Sequence, residues 1–141
     1  MESSLLERWK RGDPDILNLA EFCPQSKALG PGNRAVIWVQ GCALRCPGCV
    51  SPSYRPFKPA RLTTVRALAA RIHENPIIEG LTCSGGEPFH QAQGLANLIG
   101  LLHRQRPELT ILVYSGYTLS QLKSSRLSGV TSLLSRLDTL I

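Results

Sequence analysis

Residues 41–50 read GCALRCPGCV, which puts Cys42, Cys46 and Cys49 on one short stretch at the spacing C-x3-C-x2-C. Clustered thiolates are soft ligands that select zinc, copper(I) or an iron–sulfur cluster. A closed structural zinc site wants four protein ligands, commonly as two CxxC-like pairs. Here only Cys46–Cys49 is such a pair, so Cys23 or Cys83 would have to complete the set. Cys83 falls in a predicted strand, where a buried free thiol is the ordinary reading. Cys23 falls in a loop and stays open as a fourth ligand. A [4Fe–4S] cube normally takes four cysteines. Three leave one iron without a protein ligand, and that iron can bind a substrate.

Two further stretches carry polar or glycine-rich patterns that a ligand could use. SGGEP (84–88) holds Gly85, Gly86 and Glu87, and SGYT (115–118) begins with Ser115. Taken alone, the glycines make a strand-to-helix turn, and Glu87 is an acid favoured near a helix N-terminus. Ser115 alone reads as a satisfied strand-end hydroxyl. His73, His90 and His103 lie in or beside predicted helices and read as ordinary helix residues, His90 being nearest the glycine-rich stretch.

Regular elements must position these residues. RAVIWVQ (34–40) is a short apolar run rich in β-formers and predicts a buried strand that delivers the cysteine loop. SPSYRPFKPA (51–60) contains Pro52, Pro56 and Pro59, which deny regular hydrogen bonding and predict an extended loop. In TTVRALAARIHE (63–74), Val65, Leu68, Ala69 and Ile72 make one helical stripe, with Thr63 or Thr64 as N-cap and Pro76 as the stop. IIEGLTCS (77–84) is a second strand and HQAQGLANLIGLLHRQ (90–105) a second helix. LTILVYS (109–115) is a third strand. TLSQ (118–121) has the form of a capping box, SLLSRL predicts a further helix, and DTLI starts a fourth strand. Strands alternating with helices predict a parallel sheet with right-handed crossovers. Ligands in such sheets bind at the carboxyl ends of the strands, where all three unusual stretches fall.

Composition narrows the class. With 141 residues, 43% hydrophobic and 18% charged, the chain is one globular domain's worth. No apolar stretch is long enough to span a membrane, and MESSLLERWKRGDPD lacks the apolar core of a signal peptide, so the expected location is cytoplasmic. Five cysteines, an odd number, argue for metal or redox chemistry rather than a disulfide framework. Net charge is +6, and from Phe22 to His73 there is no Asp or Glu against eight Lys and Arg. The plain reading is a solvated basic face. The sharper one is a basic surround for something negative, such as a thiolate-ligated cluster or an acidic electron donor. Nucleic acid ranks low, since no nucleic-acid motif accompanies the charge.

With these residues in place, the chain resembles the radical S-adenosylmethionine (SAM) superfamily. CALRCPGC matches its C-x3-C-x2-C signature, and SGGEPF (84–89) resembles its Gly-Gly-Glu-Pro motif. VQGC, CPGC, SGGEPFHQ and YSGYT together resemble the glycyl-radical-enzyme activases: first the anaerobic ribonucleotide reductase activating proteins, then the pyruvate formate-lyase activating enzymes. The likeness runs over roughly residues 33–120. It implies an α/β fold, a partial radical SAM (β/α) barrel of parallel strands with about three to four βα units. Residues 1–32 would be an N-terminal extension and 33–141 the core.

By the same resemblance, Cys42, Cys46 and Cys49 hold three irons of a [4Fe–4S] cluster, and SAM chelates the fourth. SAM is then cleaved to methionine and a 5′-deoxyadenosyl radical, an oxidoreductase reaction. Gly85 and Gly86 would let the backbone approach the methionyl part of SAM. Glu87 would accept from the SAM ammonium or position the loop, and Ser115 would touch SAM. Gly48 stands where many members carry an aromatic residue, which leaves the adenine contact to backbone. The implied partners are a glycyl radical enzyme as protein substrate and a flavodoxin- or ferredoxin-like reductant; the acid-free stretch suggests that an acidic reductant docks on Arg45, Arg55, Lys58 and Arg61. Related activases continue beyond the equivalent of DTLI with further strands, so the resemblance implies a C-terminally short core. Two alternatives stand beside it: an iron–sulfur electron carrier or scaffold without productive SAM cleavage, and a zinc-stabilised interaction module.

Overall fold

The computed structural model of the chain describes residues 2–44, 46–49 and 51–141, with backbone only for Glu2 and Ser3. Six strands form one mixed sheet: β1 (Ile16–Ser26), β2 (Arg34–Val39), β3 (Arg61–Thr64), β4 (Gly80–Gly85), β5 (Thr110–Val113) and β6 (Thr139–Leu140), in the order β3-β1-β2-β4-β5-β6. The run β2-β4-β5-β6 is parallel throughout. Helices α2 (Val65–His73), α3 (Ala92–Gln105), α4 (Leu119–Lys123) and α5 (Val130–Leu134) connect these strands, and α1 (Glu2–Lys10) precedes them. The strand–helix alternation read from residue 34 onward is therefore present as expected.

Two helices start at the caps their sequence offers. The Thr64 hydroxyl accepts the Ala67 N–H at 3.0 Å and caps α2. Thr118 and Gln121 form the reciprocal capping box of α4. The apolar stripe of α3 (Leu95, Leu98, Ile99, Leu102) is wholly buried against the sheet face that carries Ile37, Leu81 and Ile111. Each such side chain contributes roughly 1.5–3 kcal/mol by leaving water.

Strand β1, like α1 and β3, is an element the sequence did not announce, and it puts Cys23 in a strand and not a loop. It runs antiparallel between β2 and β3, and irregularities between Leu19 and Glu21 and between Cys23 and Ser26 break its alternation. Residues 16–26 thus widen the sheet on the side away from β4.

The sheet's second face is closed at its amino end by Arg34. Arg34 is 1% exposed. It donates to Thr82 Oγ1 (2.8 Å), Thr110 Oγ1 (2.7 Å), the Leu81 and Thr110 carbonyls (3.0 and 2.8 Å) and the Pro31 carbonyl (3.3 Å). Neutral acceptors thus meet every N–H of a buried cation, which removes most of the penalty of burying it.

Candidate iron–sulfur site

The cysteine loop leaves β2 at the carboxyl edge of the sheet. It is closed by two backbone bonds, Gly41 N–H to the Tyr54 carbonyl (2.7 Å) and Cys42 N–H to the Arg55 carbonyl (2.9 Å). Within it, Cys49 N–H donates to the Cys46 carbonyl at 3.3 Å, a turn that places Gly48 at φ +68° with open space around it. Cys46 is exposed, while Cys42 and Cys49 are half-buried. Burial pushes the Cys42 thiol above its usual range; hydrogen bonding with the Leu44 backbone opposes this, and the nearby charges of Glu87, Cys46 and Cys49 add to the rise. The three thiols are therefore within electrostatic reach of one another. Among the described residues, no three His, Cys, Asp or Glu side chains are drawn in to metal-ligand spacing. Arg45 lies outside the described residues.

The other two thiols stand apart. Cys83 is fully buried in β4 among the helix-facing apolar residues, and burial pushes it up to about 12 against the opposing charge of Arg34. Cys23 pairs with Val36, three residues short of the strand end from which the loop leaves, and its thiol donates to the Gln25 carbonyl at 3.1 Å. The donor set on the loop is thus three soft thiols with one exposed. That set fits a cluster with one iron left for another ligand, so Cys42, Cys46 and Cys49 are the residues that would hold it.

Backbone contacts tie SGGEP to this loop. Gly86 N–H donates to the Val39 carbonyl and Glu87 N–H to the Gly41 carbonyl, both at 2.9 Å. A Cβ at Gly86 would collide with the Gly41 carbonyl oxygen and lie 2.9 Å from the Tyr54 carbonyl oxygen. The missing side chain therefore makes room for the protein's own cysteine loop.

Glu87 is 1% exposed. Its carboxylate accepts from Phe89 N–H (2.9 Å), Gly116 N–H (2.7 Å) and the Ser115 hydroxyl (3.0 Å). Of the two roles the sequence left open, loop positioning is the one this geometry supplies. Ser115 is in turn spent on Glu87 and on the Tyr117 N–H at 3.0 Å. Leu44 packs where a Cβ on Gly116 would stand, so all three stretches meet.

Sequence reasoning missed four polar residues that hold this edge together. The Asn18 side chain donates to the Lys58 carbonyl and accepts from Ala60 N–H, both at 2.8 Å. Gln40 donates to the Pro56 carbonyl at 2.8 Å, and Gln91 donates to the Asn18 carbonyl at 2.8 Å and the Gln40 carbonyl at 3.2 Å. These three amides anchor the proline-rich loop, which is not extended throughout: Pro52–Tyr54 form a 3-10 turn, closed by Arg55 N–H to the Pro52 carbonyl at 3.3 Å. His90 accepts from Ala43 N–H at 3.3 Å and sits between the rings of Phe57 (5.6 Å) and Tyr117 (5.8 Å). Burial pushes its pKa below the ordinary value, with Glu87 opposing, so the ring is poised as a neutral acceptor. The available signal was the company these residues keep: Gln40 abuts the cysteine loop, and His90 and Gln91 follow GGEP directly.

The acid-free stretch divides in three dimensions. Arg34 is consumed inside the sheet, Arg71 lies 4.6 Å over the Phe22 ring, and Arg66 is on the helical side. A single basic surround for the cysteines is therefore corrected to a smaller group: Arg55, Lys58 and Arg61 on or beside the proline-rich loop.

Residues 28–141 match a protein family described as a 4Fe-4S single cluster domain. The chain belongs to that family. An anaerobic ribonucleoside-triphosphate reductase-activating protein of Enterobacteria phage T4 is 30% identical over 112 residues, 76% of this chain and 71% of its own. One of the same name from Vibrio cholerae is 30% identical over 132 residues, covering 89% and 82%. A Haemophilus influenzae protein named for glycyl-radical enzyme activation is 37% identical over 90 residues, 62% of this chain and 34% of its own. By their names these relatives activate anaerobic ribonucleoside-triphosphate reductase or a glycyl-radical enzyme, and the family model names a 4Fe-4S cluster. The zinc-module alternative gives way to that cluster. No described helix is long and apolar enough to cross a membrane.

Proposed function

We propose that this protein binds a [4Fe–4S] cluster through Cys42, Cys46 and Cys49, cleaves SAM reductively, and generates a glycyl radical on a partner enzyme of the anaerobic ribonucleotide reductase kind. The mixed sheet is read as the wall of a partial (β/α) barrel with the cluster at its carboxyl edge. The observation that carries the reading is the convergence of a three-thiol loop, with its two other thiols held elsewhere, onto the SGGEP and SGYT loops of adjacent parallel strands.

When bound, the reduced cluster supplies the electron that splits SAM into methionine and a 5′-deoxyadenosyl radical. The chain's own residues do the positioning. Gly86 lets the cysteine loop seat against the next loop, Glu87 locks Ser115 and Gly116 beside it, and His90 pins Ala43. Phe57, 61% exposed, stands over Gly41 at the edge a partner must approach. Ser115 and the backbone of Gly85 and Gly48 are the groups proposed to face SAM.

The electron donor is proposed to be an acidic flavodoxin- or ferredoxin-like protein steered by Arg55, Lys58 and Arg61, acting in the cytoplasm. Exposed charges of this kind change association rate and are screened by salt. The deciding assay is 5′-deoxyadenosine formation by the anaerobically reconstituted, reduced chain. Product that depends on SAM and is lost in Cys46→Ala supports the reading. A reducible cluster that forms no product would assign the chain instead to electron transfer. The commitment of Glu87 and Ser115 to each other is the observation on which that second reading rests.

A further inference from the structure

The helix-covered side of the sheet carries a groove that the cysteine site does not use. It has a volume of about 590 Å³ and is lined by four arginines, Arg8, Arg66, Arg104 and Arg136. Arg8 is answered by Asp13, its Nε lying 2.8 Å from Oδ2. Among the described residues, the other three guanidiniums have no carboxylate within ion-pair distance. One acid, Asp15, lines the groove, and its Oδ1 accepts from Asn97 Nδ2 at 3.3 Å. Three uncommitted cations thus face a single carboxylate that already has a partner.

The floor is built for access. Asn97, Gly100, Leu101 and Arg104 follow one another at i, i+3, i+4 and i+7 and form a single stripe of α3. A glycine inside a helix costs about 1 kcal/mol relative to alanine. What stands over Gly100 is Arg136: a Cβ there would lie 3.5 Å from its Nη1. A Cβ would only touch that guanidinium in ordinary contact, whereas a longer side chain would fill the space beneath it. The start of α2, with Thr64 and Val65 on the wall, adds the positive end of a helix.

We propose that this groove binds a polyphosphate chain, either free or as the tail of a nucleotide. Its volume is that of a small-molecule site. Guanidinium forks match phosphate oxygens bidentately. Successive phosphates are one bridging oxygen apart and concentrate charge in a short length. Same-face carboxylates of an extended acidic peptide are spaced by two residues, about 7 Å, and bring less charge into the same length.

The test is isothermal titration of the cluster-loaded full chain with inorganic tripolyphosphate, ATP, adenosine and pentaglutamate, without divalent metal, at two salt concentrations. The expected result is one saturable site for tripolyphosphate that weakens with salt. The double variant Arg66→Ala/Arg104→Ala weakens it at least tenfold. Gly100→Leu, which keeps every charge and fills the floor, does the same. Lys123→Ala/Arg126→Ala, elsewhere on the surface, stays within twofold. ATP equal to tripolyphosphate assigns a bare phosphate chain, and ATP tenfold tighter assigns a nucleotide. The proposal is overturned by the absence of saturable binding, by equal weakening in the Lys123/Arg126 control, by unchanged binding in a folded Gly100→Leu, or by tighter binding of adenosine or pentaglutamate. Arg66 and Arg104 are exposed, so their double variant decides the matter should Gly100→Leu not fold.

Discussion

Gly86→Ala is the substitution that most sharply separates room for a ligand from room for the protein itself. The added Cβ would collide with the Gly41 carbonyl oxygen and lie 2.8 Å from the Gly41 carbonyl carbon. Ordinary contact begins near 3.4 Å, so the Gly41 peptide has to give way. The Gly41–Cys42 peptide carries two hydrogen bonds, Glu87 N–H to the Gly41 carbonyl and Cys42 N–H to the Arg55 carbonyl, both at 2.9 Å. Losing two such bonds costs about 1 kcal/mol each. Overpacking a closed contact adds about 1–3 kcal/mol. The expected loss is therefore about 3–5 kcal/mol, on the order of 10 °C in Tm for a chain of this size. Because Gly41 is the root of the cysteine loop, iron bound per chain after reconstitution should fall with it. Thermal unfolding of the metal-free chain and an iron and sulfide assay read the two effects separately. A Gly86→Ala protein with unchanged Tm and full cluster content, but without SAM binding, would refute this reasoning and return the glycine to the ligand.

Alanine at Cys42, Cys46 or Cys49 should each abolish [4Fe–4S] assembly, while alanine at Cys23 or Cys83 leaves iron content nearly unchanged; anaerobic reconstitution and optical spectra check this. Glu87→Ala orphans the Phe89 and Gly116 N–H groups and the Ser115 hydroxyl, for an expected loss of about 3–6 kcal/mol. Glu87→Gln keeps one acceptor oxygen and should fall between, as denaturant titration would show. Both ring nitrogens of His73 are shielded and have no partner among the described residues, and burial, with Arg106 adding, lowers its pKa. The neutral ring then stabilises the fold fully above the unfolded value of about 6.5, and that stability is lost as pH falls from there through the folded value. His73→Leu should therefore flatten the decline in stability between pH 7.5 and 5.5, measured by urea titration at each pH.

The parallel half of the sheet was legible because its signals are local. Pro76 and Pro107 end helices, Thr64 and the Thr118–Gln121 box begin them, and apolar runs mark β2, β4 and β5. Strand β1 was not legible, because its irregularities at Leu19/Glu21 and Cys23/Ser26 erase the two-residue period that identifies a half-buried strand. The three thiols could be read from spacing alone. The roles of Gly86 and Glu87 could not, since most of their partners, the Val39 and Gly41 carbonyls and the Gly116 amide among them, lie far away in sequence. Spacing also could not say that Arg34 turns into the sheet, because a run without acids looks the same whether its cations face water or backbone carbonyls. Asn18, Gln40 and Gln91 act only as a set, and no single position among them carries the pattern.

One iron left open by three thiols is the central proposal, and electron paramagnetic resonance of the reduced, reconstituted protein tests it most directly. Adding SAM should shift the signal of the native chain, as expected for a ligand bound at the cluster. An identical spectrum with and without saturating SAM would contradict direct coordination and, with it, the assignment of Cys42, Cys46 and Cys49 as an incomplete ligand set.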